Sequence, residues 1–163
     1  MPPRVPAKAH LKVPEVNLAP SAAERWPDRL AALALACAAG SAGDEPQRIR
    51  DLRDLLIQAP CSAARCGTSL PPSDEFETQL DARASVSAVL SLLGHDCGYL
   101  LSRGSQGEHM ASVILPGRAD ESTASADSAA LALVAALAMA LQDAPLLFGA
   151  FGDAEVRPAL RFN

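Results

Sequence analysis

Four side chains in two close pairs carry the most chemistry in this sequence: Cys61 with Cys66, and His95 with Cys97. Three sulfurs and one imidazole nitrogen form a set that zinc takes tetrahedrally. The spacing argues against it. Four residues between the first two cysteines is loose for a metal knuckle, His-x-Cys is not a usual one, and no second pair repeats either spacing. Free thiols are the favoured reading, and no metal or cofactor is assigned. A thiol- or zinc-dependent protein built on Cys61, Cys66, His95 and Cys97 stands as the rival. A redox pair would need a thiolate of low pKa, and neither a helix N-terminus nor a strong basic cluster is evident beside these cysteines.

Cys97 also has two histidines within its reach in principle, His95 in the chain and His109 across a predicted hairpin. A Cys–His pair begins a nucleophilic site, but catalysis also needs an orienting acid and oxyanion donors, and the sequence places neither. His109 beside Glu108 reads instead as a solvated strand end. Gly104-Ser-Gln-Gly107 lacks the Walker spacing and its lysine, so it reads as a turn. Paired carboxylates, HExxH, GxSxG and a dinucleotide fingerprint are missing too. Arg103, Arg157 and Arg161 are too scattered to mark a basic site. The chain is read as non-enzymatic, with no catalytic residues.

The elements that must position any site centre on Ser85 to Leu141. Val86, Val89, Leu90 and Leu93 share one helical face, with Asp81 as N-cap, Gly94 as the terminating glycine, and Ser85, Ser87 and Ser91 toward water. Tyr99 to Leu101 and Met110 to Leu115 read as two strands of an antiparallel hairpin, with the two glycines of the 103–108 stretch supplying the turn. The polar stretch Asp120 to Ala126 leads into a helix opening near Ser125 or Asp127. From Ala129 to Leu141 no residue is polar. That run is shorter than the ~20 residues a membrane span needs, so it reads as a central, buried helix.

Residues 1–20 hold five prolines, and Arg4, Lys8 and Lys12 face a single Glu15. They read as an extended or disordered arm of net charge +2 on a body of about −7. Residues 21–60 read as a helical hairpin. A capping box at Ser21–Glu24 competes with Pro27, which draws the first helix start toward Trp26, and Leu30, Leu33 and Cys37 share its inner face. The second helix starts at Asp44-Glu-Pro-Gln47, buries Ile49, Leu52 and Leu56, carries Arg50 and Asp54 outside, and ends at Pro60. Residues 61–79 read as a linker and 80–163 as an α+β core domain. Near its end, Leu146, Leu147, Phe148 and Phe151 are too apolar for a free tail, and fit either a further strand or a cover over a groove.

Two resemblances add to this. From Leu80 to Leu141 the order helix, hairpin, then a helix entered through Thr123-Ala-Ser-Ala126 and Ala129-Ala-Leu-Ala-Leu133 resembles a small sandwich domain found in many phage-encoded proteins of unknown role. The chain lacks the proline and the Cys-Arg pair expected around that helix. The resemblance implies a phage or prophage accessory protein and no catalytic residues. In size and charge the chain is also similar to acidic secretion chaperones, whose α+β dimers bind an extended client segment.

Net charge −5 and a pI near 5.1 argue against a broad nucleic-acid footprint. No charged segment followed by an apolar run marks a signal peptide, and four cysteines in 163 residues make no disulfide scaffold, which points to the cytoplasm. The expected protein is α+β: a helical hairpin, then a helix–hairpin–helix two-layer unit with a C-terminal strand or cover. Its expected role is to bind another protein through Tyr99, Leu101, Phe148 and Phe151. Alanine-rich helix faces fit a homodimer as well as a monomer.

Overall fold

A computed structural model describes residues 25–142, and among them the fold is α+β: five α-helices and one three-stranded antiparallel sheet. The arm at 1–20, the capping box at 21–24, and Phe148 and Phe151 lie outside the described residues.

Helix α1 spans Trp26–Ala39, with Pro27 in its first turn, where a missing N–H leaves no helical bond unmade. Trp26, Leu30, Leu33, Ala34 and Cys37 are its buried face. The indole N–H of Trp26 donates to the Leu55 carbonyl at 2.8 Å. Leu55 lies in the last turn of α2, Glu45–Ile57, where helix carbonyls lack an intrahelical donor. One buried bond thus caps one helix from another. Asp44 does not cap α2 as the sequence suggests. Its carboxylate accepts the N–H (2.9 Å) and hydroxyl (3.0 Å) of Ser41, closing the tight turn between the two helices. Those two donors hold its carboxyl below the usual carboxylate range.

The stretch 61–79, expected to be a linker, contains most of a helix, α3 at Ser73–Asp81. The composition break there is a helix start, with Pro71-Pro72 ahead of it and Asp74 and Glu75 in its first turn. Phe76 and Leu80, one turn apart, are its buried pair. Arg50 does not serve Asp54 but reaches across to Glu77 of α3 at 2.7 Å, and the Arg53 guanidinium lies 5.1 Å from the Phe76 ring centre. Asp81 ends α3 instead of capping the next helix. The chain turns through Arg83, which sits in the left-handed region (φ 56°), before α4 begins at Ser85 and ends at Leu92. The buried stripe of α4 is Ser85, Ala88, Val89 and Leu92, rotated from the expected 86/89/90/93 face. The small Ser85 and Ala88 are what allow the neighbouring helices to come close. Leu93 leaves the helix extended to bridge Thr68, and the Gly94 N–H donates to the Gly67 carbonyl at 2.7 Å. A side chain at Gly94 would meet that oxygen at 2.9 Å, so close approach is what requires glycine here.

The sheet is a meander of β1 (Gly98–Arg103), β2 (His109–Ile114) and β3 (Ser122–Ala126). The third strand is a correction, because 122–126 was expected to be a helix entry. Its period is two: Ser122, Ala124 and Ala126 register with the inward residues of β2, and Thr123 and Ser125 are exposed. Helix α5, Ala129–Gln142, starts after Ser128, whose hydroxyl accepts the Leu131 N–H at 3.2 Å. Eleven of its residues are buried, because it packs on the sheet and also against α1, α2 and α4. Each fully buried leucine there contributes roughly 1.5–3 kcal/mol. No helix among the described residues is long and apolar enough to cross a membrane.

Candidate functional site

Strand β1 is the outer strand on one side of the sheet, and its hydrogen-bond phase can be read from the hairpin turn. Gly104 N–H donates to the Glu108 carbonyl at 2.8 Å, and Gly107, at φ +96°, donates to the Gly104 carbonyl at 3.1 Å. That pattern is a glycine bulge at the end of the ladder. Bonded and non-bonded pairs alternate in an antiparallel ladder. Counting from Gly104–Glu108, the bonded pairs are Ser102–Met110, Leu100–Ser112 and Gly98–Ile114. Tyr99, Leu101 and Arg103 therefore turn their N–H and C=O groups away from β2. Among the described residues no backbone hydrogen bond from outside the sheet reaches them.

The side chains follow from the same register. Tyr99 and Leu101 pair with Val113 and Ala111, which are buried, so both belong to the face that covers α5. Leu101 is half-buried against the core, whereas Tyr99 is 51% exposed, because α5 lies mainly under β2 and β3. On the other face Leu100 is 64% exposed, with Met110 and Ile114 beside it among serines and threonine. Ser112 and Thr123 hydroxyls bond each other there at 2.6 Å. Edge strands are commonly protected by charges, proline or bulges within the strand. β1 has one charge, Arg103 at its end, and no proline.

The thiol set is arranged differently from a metal or redox site. Cys97 Sγ donates to the Gly67 carbonyl at 2.7 Å. Burial pushes the Cys97 thiol up, with Cys66 and Asp96 adding to the rise and the Gly94 N–H opposing it. A reactive cysteine needs the reverse shift. Cys61, Cys66 and His95 are exposed. Among the described residues no three His, Cys, Asp or Glu side chains gather to hold a metal ion. His109 does not lie near Cys97 across the ladder. It pairs with Arg103 at the turn end, whereas Cys97 precedes Gly98 at the other end, about 17 Å away along the strand. Cys37, on the buried face of α1, is pushed up to about 12 by desolvation.

Of the residues singled out for partner binding, Tyr99 and Leu101 come together on β1, and Phe148 and Phe151 are not among the described residues. Leu100 was missed. Its signal is the unbroken run Tyr99-Leu100-Leu101, which breaks the in–out alternation of a half-buried strand and leaves an apolar residue on each face. Leu35 was also missed. It lies off the Leu30/Leu33/Cys37 stripe of α1 and is 72% exposed. No protein-family model, curated protein or solved structure matches this chain.

Proposed function

We propose that the chain is a protein-binding module that takes an extended segment of another protein along β1 by strand addition. The observation that carries this reading is the open edge: outward backbone groups at Tyr99, Leu101 and Arg103, on a strand with apolar side chains exposed on both faces. Main-chain bonds supply affinity in this mode, and pockets for alternate side chains supply selectivity. The client segment would bond to Tyr99 and Leu101 and set an apolar side chain beside them on the α5 side. Tyr99 and Leu101 are contacts in this reading, and no residue acts as a catalyst.

A second copy of the chain is the competing occupant, since two β1 edges can pair with each other around a two-fold axis. Panning displayed random peptides against the protein tests the reading, with Tyr99→Pro as the counter-screen. That substitution removes one outward donor, worth about 1–1.5 kcal/mol, so selected peptides should bind the variant about tenfold more weakly. Peptides that bind both proteins equally would sink the proposal. A wild-type dimer that Tyr99→Pro converts to monomer would assign the edge to self-association.

A further inference from the structure

Gly98 opens β1, and its backbone does not require glycine. Among the described glycines only Gly67, Gly107 and Gly117 take a positive φ, and a side chain at Gly98 would touch nothing but Ile114, at an ordinary 3.8 Å. The glycine leaves a bare position on the outer face of the sheet, and Ile114, its partner on β2, stays exposed beside it. At the other end of the strand stands Arg103, the one charged residue of β1. The ion pairs among the described residues are Arg48–Asp51 and Arg50–Glu77, so Arg103 is exposed without one. Between the two ends Leu100 is the most exposed apolar side chain of the sheet.

Resting on strand addition at β1, we infer the chemistry of the client: a segment antiparallel to β1 with an acidic residue opposite Arg103, apolar residues opposite Leu101, Leu100 and Tyr99, and an aromatic residue opposite Gly98. Both ladders of the sheet are antiparallel, and that pairing is the more stable per residue. Gly98 and Leu100 bond to β2, so toward the open side they form the non-bonded pairs, whose Cα atoms approach to about 4.5 Å. A ring set opposite Gly98 lies across the bare glycine and covers Ile114, a reach of about two strand spacings that an aliphatic side chain does not make. Leu100 meets the middle apolar residue on the outer face, while Leu101 and Tyr99 meet the other two on the α5 side. The three are therefore consecutive instead of alternating. Opposite charges directly across a strand pair attract, and like charges repel, so Arg103 selects an acid.

The test is the sequence of the displayed peptides that the full chain selects and that Tyr99→Pro weakens. They should share one order: acidic, any residue, three apolar, aromatic. Replacing the aromatic residue of one such synthetic peptide by alanine should weaken its binding to the wild type about tenfold, but to Gly98→Val by no more than about twofold, because the added side chain covers Ile114 itself. Arg103→Glu should turn the selection at the first position from an acid to lysine or arginine. Both variants should keep the wild-type circular dichroism, since both positions are exposed. The alanine comparison on the wild type needs no variant, so it decides even where a variant misfolds. Peptides that depend on Tyr99 but show no aromatic preference, keep it on Gly98→Val, keep the acid on Arg103→Glu, or carry the reverse order would overturn the inference and leave strand addition standing. Peptides indifferent to Tyr99→Pro, or no binding peptide at all, would remove both.

Discussion

Proline substitutions at Tyr99 and Leu100 separate the two sides of β1. The ladder phase directs the Leu100 N–H to the Ser112 carbonyl and the Tyr99 N–H to the open edge. Both side chains are more than half exposed, so each substitution removes a comparable contact. Both impose the same proline φ, and each preceding residue is already extended, as a residue before proline prefers. What differs is the hydrogen bond. Leu100→Pro deletes a ladder bond and leaves the Ser112 carbonyl without its donor, worth about 1–3 kcal/mol beyond the shared terms. Tyr99→Pro deletes none, as expected where an edge-strand N–H faces solvent. Urea unfolding reads the difference directly. With a slope of about 2 kcal/mol per molar, Leu100→Pro should unfold at a midpoint roughly 0.5–1.5 M below Tyr99→Pro. Equal midpoints, or the reverse order, would mean that the edge phase is wrong or that the edge is covered, and the proposed function would fall with it.

Trp26→Phe should destabilise by about 2–4 kcal/mol in the same assay, since the buried Leu55 carbonyl loses its donor and a partly filled space remains. A loss below about 0.5 kcal/mol would show that the bond does not tie α1 to α2. The Arg50 guanidinium holds the Glu77 carboxyl below its ordinary value, so the unfolded state binds that proton more readily. The stability this supplies is complete above the ordinary carboxylate range and is lost as the pH falls through the depressed value. Glu77→Gln should therefore flatten the acid side of a melting-temperature profile, and an unchanged slope would contradict the pairing. Thiol labelling of the native protein should modify Cys61 and Cys66 quickly, with Cys97 slower and Cys37 slowest until denaturant is added. Rapid reaction at Cys97 would revive the thiol reading.

Much of this architecture is written in periodicity. The unbroken apolar run from Ala129 announces a central helix, and Leu30, Leu33 and Cys37 announce the buried face of α1, which Trp26 joins. The hairpin was legible because Gly104 and Gly107 punctuate two strand-like runs. What was hidden depends on partners far away in sequence. β3 is Ser-Thr-Ala-Ser-Ala, in which Thr123 alone favours a strand, and its pairing depends on β2 and α5 being in place. The stripe of α4 rotated because Ser85 and Ala88 pack closely, a matter of size that a hydrophobicity pattern does not register. The pairing of Arg50 with Glu77 in place of Asp54 was hidden because it depends on α3, a helix 27 residues further along the chain that the sequence reads as a linker. The open edge could be foreseen only in part. Tyr99 and Leu101 stood out as apolar, but their outward backbone depends on the bulge at Gly107, which sets the phase.

Amide hydrogen exchange along β1, followed by NMR with and without a selected peptide, puts the central claim to its most direct test. In the free protein Leu100 and Ser102 should exchange slowly, and Tyr99, Leu101 and Arg103 quickly. Adding the peptide should slow Tyr99 and Leu101 at least tenfold and leave Leu100 and Ser102 as they were. Outward amides that are already protected in the free protein, or that stay fast while the peptide is bound, would contradict strand addition at this edge.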